Sequence, residues 1–185
     1  MEVFFATTNE GKVTEANEIL KKVKLKILKE DVPEIKSIDE IETIVEKAKA
    51  AYKMFQKPLI VEDTCLFFSA FEGFPGTYTK FAVRTIGLET LLEMLNGKTR
   101  NAKFITCIAY IWGEEKFEVF QGIMEGKITE NLRGVSKPGL PYDSVFIPNG
   151  FDKTYAELGD EIKNKISHRT KAFQNFEKWF EKKEK

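Results

Sequence analysis

The 185-residue chain is predicted to fold as a single α/β domain, on three observations. Helical and strand-like hydrophobic patterns alternate along it. The helical segments each carry one apolar stripe, which needs a sheet beneath it, and no repeat, low-complexity tract or flexible linker divides the chain. The length suits one substantial core, or two small lobes sharing one.

Val3-Phe4-Phe5-Ala6 is a short apolar strand running into Thr7-Thr8-Asn9-Glu10-Gly11-Lys12. Residues 13–23 set Val13, Ala16, Ile19, Leu20 and Val23 at helical spacing, and 25–28 alternate apolar residues with lysine as in a half-exposed strand. Asp31-Val32-Pro33-Glu34 breaks the chain before a second helix over 39–55, striped by Ile41, Ile44, Val45, Ala48, Ala51, Tyr52 and Phe55. Pro58-Leu59-Ile60-Val61 reads as a buried central strand that ends by delivering Glu62, Asp63 and Thr64 to the sheet edge where α/β folds collect ligands. Residues 73–78 form a turn, helical stretches follow to Leu95, and strands over 102–112 and 116–123 are joined at Gly113-Glu114. A proline- and glycine-rich loop covers 134–148, and a terminal helix runs over 168–181 with Ser167 as its cap.

Lysine plus arginine equals aspartate plus glutamate at 29 each, so no global field would hold a nucleic-acid backbone and any phosphate binding must be local. The longest apolar stretch, 104–112, falls far short of the ~18–20 residues a membrane span needs, and the N-terminus has no basic region. A soluble, untargeted, cytoplasmic protein is expected, with no nucleic acid or membrane as partner. Cys65 and Cys107 lie in apolar runs and read as small buried hydrophobes, not as a disulfide or a metal site.

The first loop places backbone N–H groups and hydroxyls beside Lys12 at a helix start, which suits phosphate. It has neither the P-loop nor the Gly-x-Gly-x-x-Gly spacing, and it reads equally as a helix capped by Thr8 or Asn9. The carboxylates Glu34, Glu62 and Asp63, with no His/Cys cluster near, suit Mg²⁺ better than zinc. Neighbours on a strand point to opposite faces, so only one of Glu62 and Asp63 readily faces a site unless the strand ends there. By itself Ser167-His168-Arg169 reads as an ordinary helix start pointing at water. Paired with the N-terminal loop, it suggests one shared site.

Six motifs then fall in order: Thr7-x-Asn9-x-x-Lys12, residues 61–66 (Val-Glu-Asp-Thr-Cys-Leu), Phe74-Pro75-Gly76-x-Tyr78, Tyr142-Asp143-x-x-Phe146, Thr154-x-Ala156-Glu157 and Lys163-Asn164-x-x-Ser167-His168-Arg169. Together they resemble the inosine triphosphate pyrophosphatase (Ham1-like) family over nearly the whole chain. The resemblance implies a long mixed sheet flanked by helices in two lobes around a cleft, in a homodimer. It also implies hydrolysis of ITP, dITP and XTP to the monophosphate and pyrophosphate.

Carried over by position, Thr7, Asn9, Lys12 and Thr64 would bind substrate, with Lys47 and Lys80 adding cations. Glu34 and Asp63 would handle Mg²⁺ and the attacking water, Asp63 as general base. Tyr142, Asp143, Lys163, Ser167, His168 and Arg169 would form the base pocket. Where the family commonly has Phe-Gly-Tyr/Trp-Asp-Pro, this chain has Leu140-Pro141-Tyr142-Asp143-Ser144, so the usual stacking aromatic is absent and Tyr142 is left to compensate. That departure leaves room for a related pyrophosphatase of shifted base preference. A non-catalytic nucleotide-binding protein of the same fold is the other alternative.

Overall fold

A run of apolar, β-branched and aromatic residues, wide enough to be covered on both faces, makes the centre of the sheet. In this computed structural model, which describes residues 2–183, Met1 of the segment read as untargeted lies outside the described part. The order is β1 (Glu2–Ala6), α1 (Glu10–Ile19), β2 (Lys24–Leu28), α2 (Glu40–Phe55), β3 (Leu59–Phe68), β4 (Pro75–Gly76), α3 (Thr79–Ile86), α4 (Leu88–Glu93), β5 (Asn101–Gly113), β6 (Lys116–Ile128), β7 (Phe146–Pro148), α5 (Tyr155–Ile166) and α6 (His168–Lys183). Among the described residues the strands form one open mixed sheet in the order β2-β1-β3-β5-β6-β7, with β4 on β3. β2, β1 and β3 are parallel, and β3, β5, β6 and β7 are successively antiparallel.

Strand periodicity sorts the core. Odd residues of β3 and β5 (Leu59, Val61, Ile105, Cys107, Ala109, Ile111) join Ile44, Ala48 and Ala51 of α2. Even residues (Ile60, Ile108, Tyr110) join Ala16 and Ile19 of α1 and Phe173, Phe176 and Phe180 of α6. Toward the far ends of β3, β5 and β6 a separate core gathers Leu66, Phe68, Phe104, Tyr142, Phe146 and Tyr155 with Leu91 and Leu92 of α4. The two lobes therefore share one sheet.

Two sequence expectations are corrected, and one helix is added. The first helix spans Glu10–Ile19 rather than 13–23: Asn9 caps it, its Oδ1 accepting from the Lys12 N–H at 3.2 Å. β3 does not stop at Val61 but continues to Phe68, because its antiparallel register with β5 runs unbroken from Leu59 to Phe68. Glu62, Asp63 and Thr64 are thus mid-strand residues. Between 154 and 166 there is a helix, α5, started by a reciprocal capping box between Thr154 and Glu157. Both cysteines are free and buried, as expected, and no helix of the described residues is long and apolar enough to cross a membrane.

Candidate active site

The site follows from a mismatch in strand length. β1 pairs with β3 only at Leu59 and Ile60, then turns away into the Thr7–Asn9 loop, while β3 runs on. One backbone edge of β3 is left open there. Side chains satisfy it: Lys47 Nζ donates to the Glu62 carbonyl at 3.1 Å, Asp63 Oδ1 accepts from the Thr64 N–H at 3.0 Å, and Thr79 Oγ1 accepts from the Leu66 N–H at 2.8 Å. Glu62 and Asp63 do point to opposite faces, as alternation requires. An open edge lets both faces border the same space, which is why neither carboxylate is wasted.

On the even face an ion network lies between the two apolar cores. Arg169, 1% exposed, donates from Nε to Glu62 Oε2 and from Nη2 to Glu62 Oε1, both at 3.2 Å, and its Nη1 pairs with Glu15. Lys163 pairs with Asp143 at 2.7 Å and with Glu15 at 3.1 Å, and Lys12 with Glu62 at 3.2 Å. Glu62 also accepts from the Thr64 hydroxyl at 2.7 Å. Three carboxylates thus meet three cations, the balance that makes burial of so many charges tolerable. Burial pushes the Glu62 carboxyl up, but Arg169 and Lys12 outweigh it and hold it well below the usual range. Glu15 is lowered in the same way, burial being overcome by Arg169 and Lys163. At Asp143 burial wins over Lys163 and raises the carboxyl.

His168 is 3% exposed and stacked on Phe104, with ring centroids 4.4 Å apart and 14° between planes. Burial, then the charges of Arg169 and Lys163, push its pKa well below the ordinary imidazole value, so it is neutral. Its Nδ1 is buried without a partner among the described residues.

The odd face carries a smaller cluster. Lys36 Nζ lies 2.7 Å from Asp63 Oδ2 and 3.0 Å from Glu34 Oε2, while Lys47 takes the other Glu34 oxygen. Although burial raises it, Glu34 is pulled down to about 2 by Lys47 and then Lys36.

The structure thus brings together Lys12, Thr64, Asp143, Lys163 and Arg169 on one side of the open edge, and Glu34, Lys47 and Asp63 on the other. Thr7 and Asn9 shape the loop that closes it, Thr7 Oγ1 accepting from the Asn9 N–H at 3.1 Å. Ser167 caps α6, its Oγ accepting from the Thr170 N–H at 3.1 Å, so the helix start is as read. His168 and Arg169 nonetheless face inward, not to water. Tyr142 is 4% exposed, its hydroxyl bonded to the Thr79 carbonyl at 3.0 Å, and it serves as an anchor between its own turn and α3. Pro141 opens that turn, Pro141–Ser144, where its fixed φ fits. Lys80 is exposed at the start of α3 and joins no ion pair among the described residues. Sequence reasoning missed Glu15 and Lys36. Glu15 lies one helical turn after Lys12, a spacing that could have flagged it; Lys36, in an irregular segment, gave no signal.

The arrangement has relatives. A 41% identical protein of Methanopyrus kandleri, covering 97% of this chain and 96% of its own length, is a dITP/XTP pyrophosphatase. An inosine triphosphate pyrophosphatase of Candida albicans is 47% identical over 142 residues, 73% of this chain and 69% of the relative. The solved structure of a HAM1 protein from Coxiella burnetii superposes with a TM-score of 0.84 at 27% identity, over 98% of this chain and 99% of that one. With the Ham1 family model matching residues 3–179, the chain belongs to the Ham1 family.

Proposed function

We propose that the protein is a nucleoside-triphosphate pyrophosphatase that hydrolyses non-standard purine nucleotides, ITP, dITP and XTP, to the monophosphate and pyrophosphate. The observation that carries this reading is the meeting of Asp63, Lys47 and Lys12 at the open edge of β3, beside the Thr7–Asn9 loop. The names of the relatives point the same way.

Lys12, Lys47 and Lys80 hold the triphosphate and stabilise charge as it moves toward the leaving pyrophosphate. Thr7, Asn9 and Thr64 supply hydroxyl and amide contacts. Asp63 accepts the proton of the water that attacks the α-phosphorus. The donor set fits Mg²⁺: Glu34 and Asp63, both within 3.0 Å of the Lys36 ammonium, would hold it as two hard carboxylates with the remaining positions left for phosphate and water. Bound there, the ion supplies Lewis-acid charge to the phosphate oxygens.

Tyr142, Asp143, Lys163, Ser167, His168 and Arg169 form the base end. Hypoxanthine and xanthine present an acceptor oxygen at position six where adenine presents a donor. A neutral imidazole carries one N–H, so His168 can satisfy the oxygen. An amino group there would leave a buried polar group unpaired, at a cost of ~1–3 kcal/mol. The enzyme acts in the cytoplasm as a homodimer. The test is pyrophosphate versus orthophosphate release from ITP, XTP, GTP and ATP with Mg²⁺. Pyrophosphate from ITP and XTP, with little from ATP, is expected; orthophosphate, or equal rates on ATP, refutes the proposal.

A further inference from the structure

The odd-face cluster contains a cation between the two carboxylates read above as metal ligands. Lys36 Nζ binds Glu34 Oε2 at 3.0 Å and Asp63 Oδ2 at 2.7 Å, one oxygen of each carboxylate. Their other oxygens are engaged, Glu34 Oε1 by Lys47 and Asp63 Oδ1 by the Thr64 N–H. We propose that the Lys36 ammonium is a built-in stand-in for the divalent cation, joining Glu34 to Asp63 in the nucleotide-free protein and keeping free metal out until substrate arrives. The proposal rests on the metal-dependent reading above and assigns a role to a residue outside it.

Charge and exposure both support this role. Glu34, Asp63, Lys36 and Lys47 sum to zero formal charge, so a free divalent ion meets a neutral cluster instead of an anionic one. Among the described residues no group of three Asp, Glu, His or Cys side chains could hold a metal. Mg²⁺ is ordinarily held by one or two carboxylates together with substrate phosphates. A nucleotide changes the balance twice, bringing oxygens for the metal and an anionic partner for the displaced ammonium.

Lys36 can leave. It lies between α2 and β2 in an irregular segment, on a flexible four-carbon stem, with its side chain 25% exposed. Lys47 is tethered to the Glu62 carbonyl and is 11% exposed, so it is the fixed cation of the pair.

The experiment is Mn²⁺ binding to nucleotide-free protein, read from the electron paramagnetic resonance signal of free Mn²⁺, for wild type, Lys36→Gln, Lys36→Arg and the double variant Lys36→Gln/Glu34→Gln. Removing a positive charge this close to the site should tighten Mn²⁺ binding at least about tenfold in Lys36→Gln. Lys36→Arg should stay as weak as wild type, and adding Glu34→Gln should cancel the gain. Equal affinity in wild type and Lys36→Gln, or equal tightening in Lys36→Arg, overturns the role of Lys36. The metal-dependent reading is scored separately, by Mn²⁺ binding to wild type and Glu34→Gln with a non-hydrolysable ITP analogue present. Loss in Glu34→Gln keeps that reading even if Lys36 proves passive; no loss removes Glu34 as ligand and the stand-in role with it.

Discussion

Arg169 and Glu62 face each other through two hydrogen bonds of 3.2 Å, and neither side chain is more than 1% exposed. The pair joins the start of α6 to the middle of β3, and through Glu62 it reaches Lys12 at the start of α1. A guanidinium is the only side chain that can serve Glu62 and Glu15 at once with fixed geometry. Arg169→Met would leave two buried carboxylates without their main partner, and should cost about 3–5 kcal/mol in urea unfolding. The double variant Arg169→Met/Glu62→Gln should lose less than the sum of the single changes, because the second removes the charge the first stranded. Additive losses would mean the two groups do not act as a pair.

His168 should give the protein a pH dependence well above the carboxylate range. Its pKa is depressed by burial and then by Arg169 and Lys163, so below about pH 6.5 the unfolded chain binds a proton that the folded chain resists. The stability contributed by neutral His168 is complete above pH 6.5 and is lost as pH falls. Asp143, whose carboxyl is raised by burial, works with the opposite sign. Glu34, at about 2, contributes stability that is lost only as pH falls from its ordinary 4.5 toward 2.

Comparing wild type with His168→Phe, which can keep a stack on Phe104, isolates the histidine. Their stability difference should be constant above pH 7 and shift against wild type below 6.5, by at most about 1.4 kcal/mol per pH unit. A pH-independent difference would mean that the imidazole takes up its proton in the fold as readily as in the unfolded chain.

The burial of His168 is not something the local sequence could supply. Ser167-His168-Arg169 was legible as a capped helix start, and the cap is there, but only the proximity of β5 and β3 turns the next two side chains inward against Phe104 and Glu62. The α/β alternation and the hairpin at Gly113-Glu114 were readable because periodicity and turn chemistry are local. The length of β3 was not. Polar residues at 62–64 look like a strand end, and what keeps them in the strand is the register with β5, a contact distant in sequence. The helix over 155–166 escaped for a different reason: Gly159, at φ 73°, interrupts its apolar pattern, although Thr154-Tyr155-Ala156-Glu157 carried the capping signal.

Gly122 marks where α6 meets the sheet. A Cβ there would stand 2.0 Å from the His168 carbonyl oxygen and 2.5 Å from the Ala172 nitrogen, both backbone atoms of α6. No rotamer change relieves such a clash, so Gly122→Ala must push α6 off β6 and disturb the Arg169 contacts that depend on its position. The expected loss is about 1–3 kcal/mol or more in urea unfolding. A near-silent substitution would show that α6 can slide along the sheet at no cost.

Asp63 offers the sharpest test of the chemistry because its two roles separate by substitution. Asn keeps the size of the side chain and an oxygen to accept from the Thr64 N–H, so the open edge of β3 stays satisfied and the fold is expected to hold. What Asn cannot do is accept a proton from water, so Asp63→Asn should lower kcat for ITP by about 10²–10⁴. Lys12 and Lys47 reach the edge independently of that carboxylate, through Glu62 and Glu34, and should still hold the triphosphate. Nucleotide affinity, measured by calorimetry with ITP on the slow variant, should therefore change far less than kcat. If Asp63→Asn turns over at near wild-type rate, Asp63 is not the base. If binding and turnover fall together, its main role is to hold the cluster of Lys36, Glu34 and Lys47 in place.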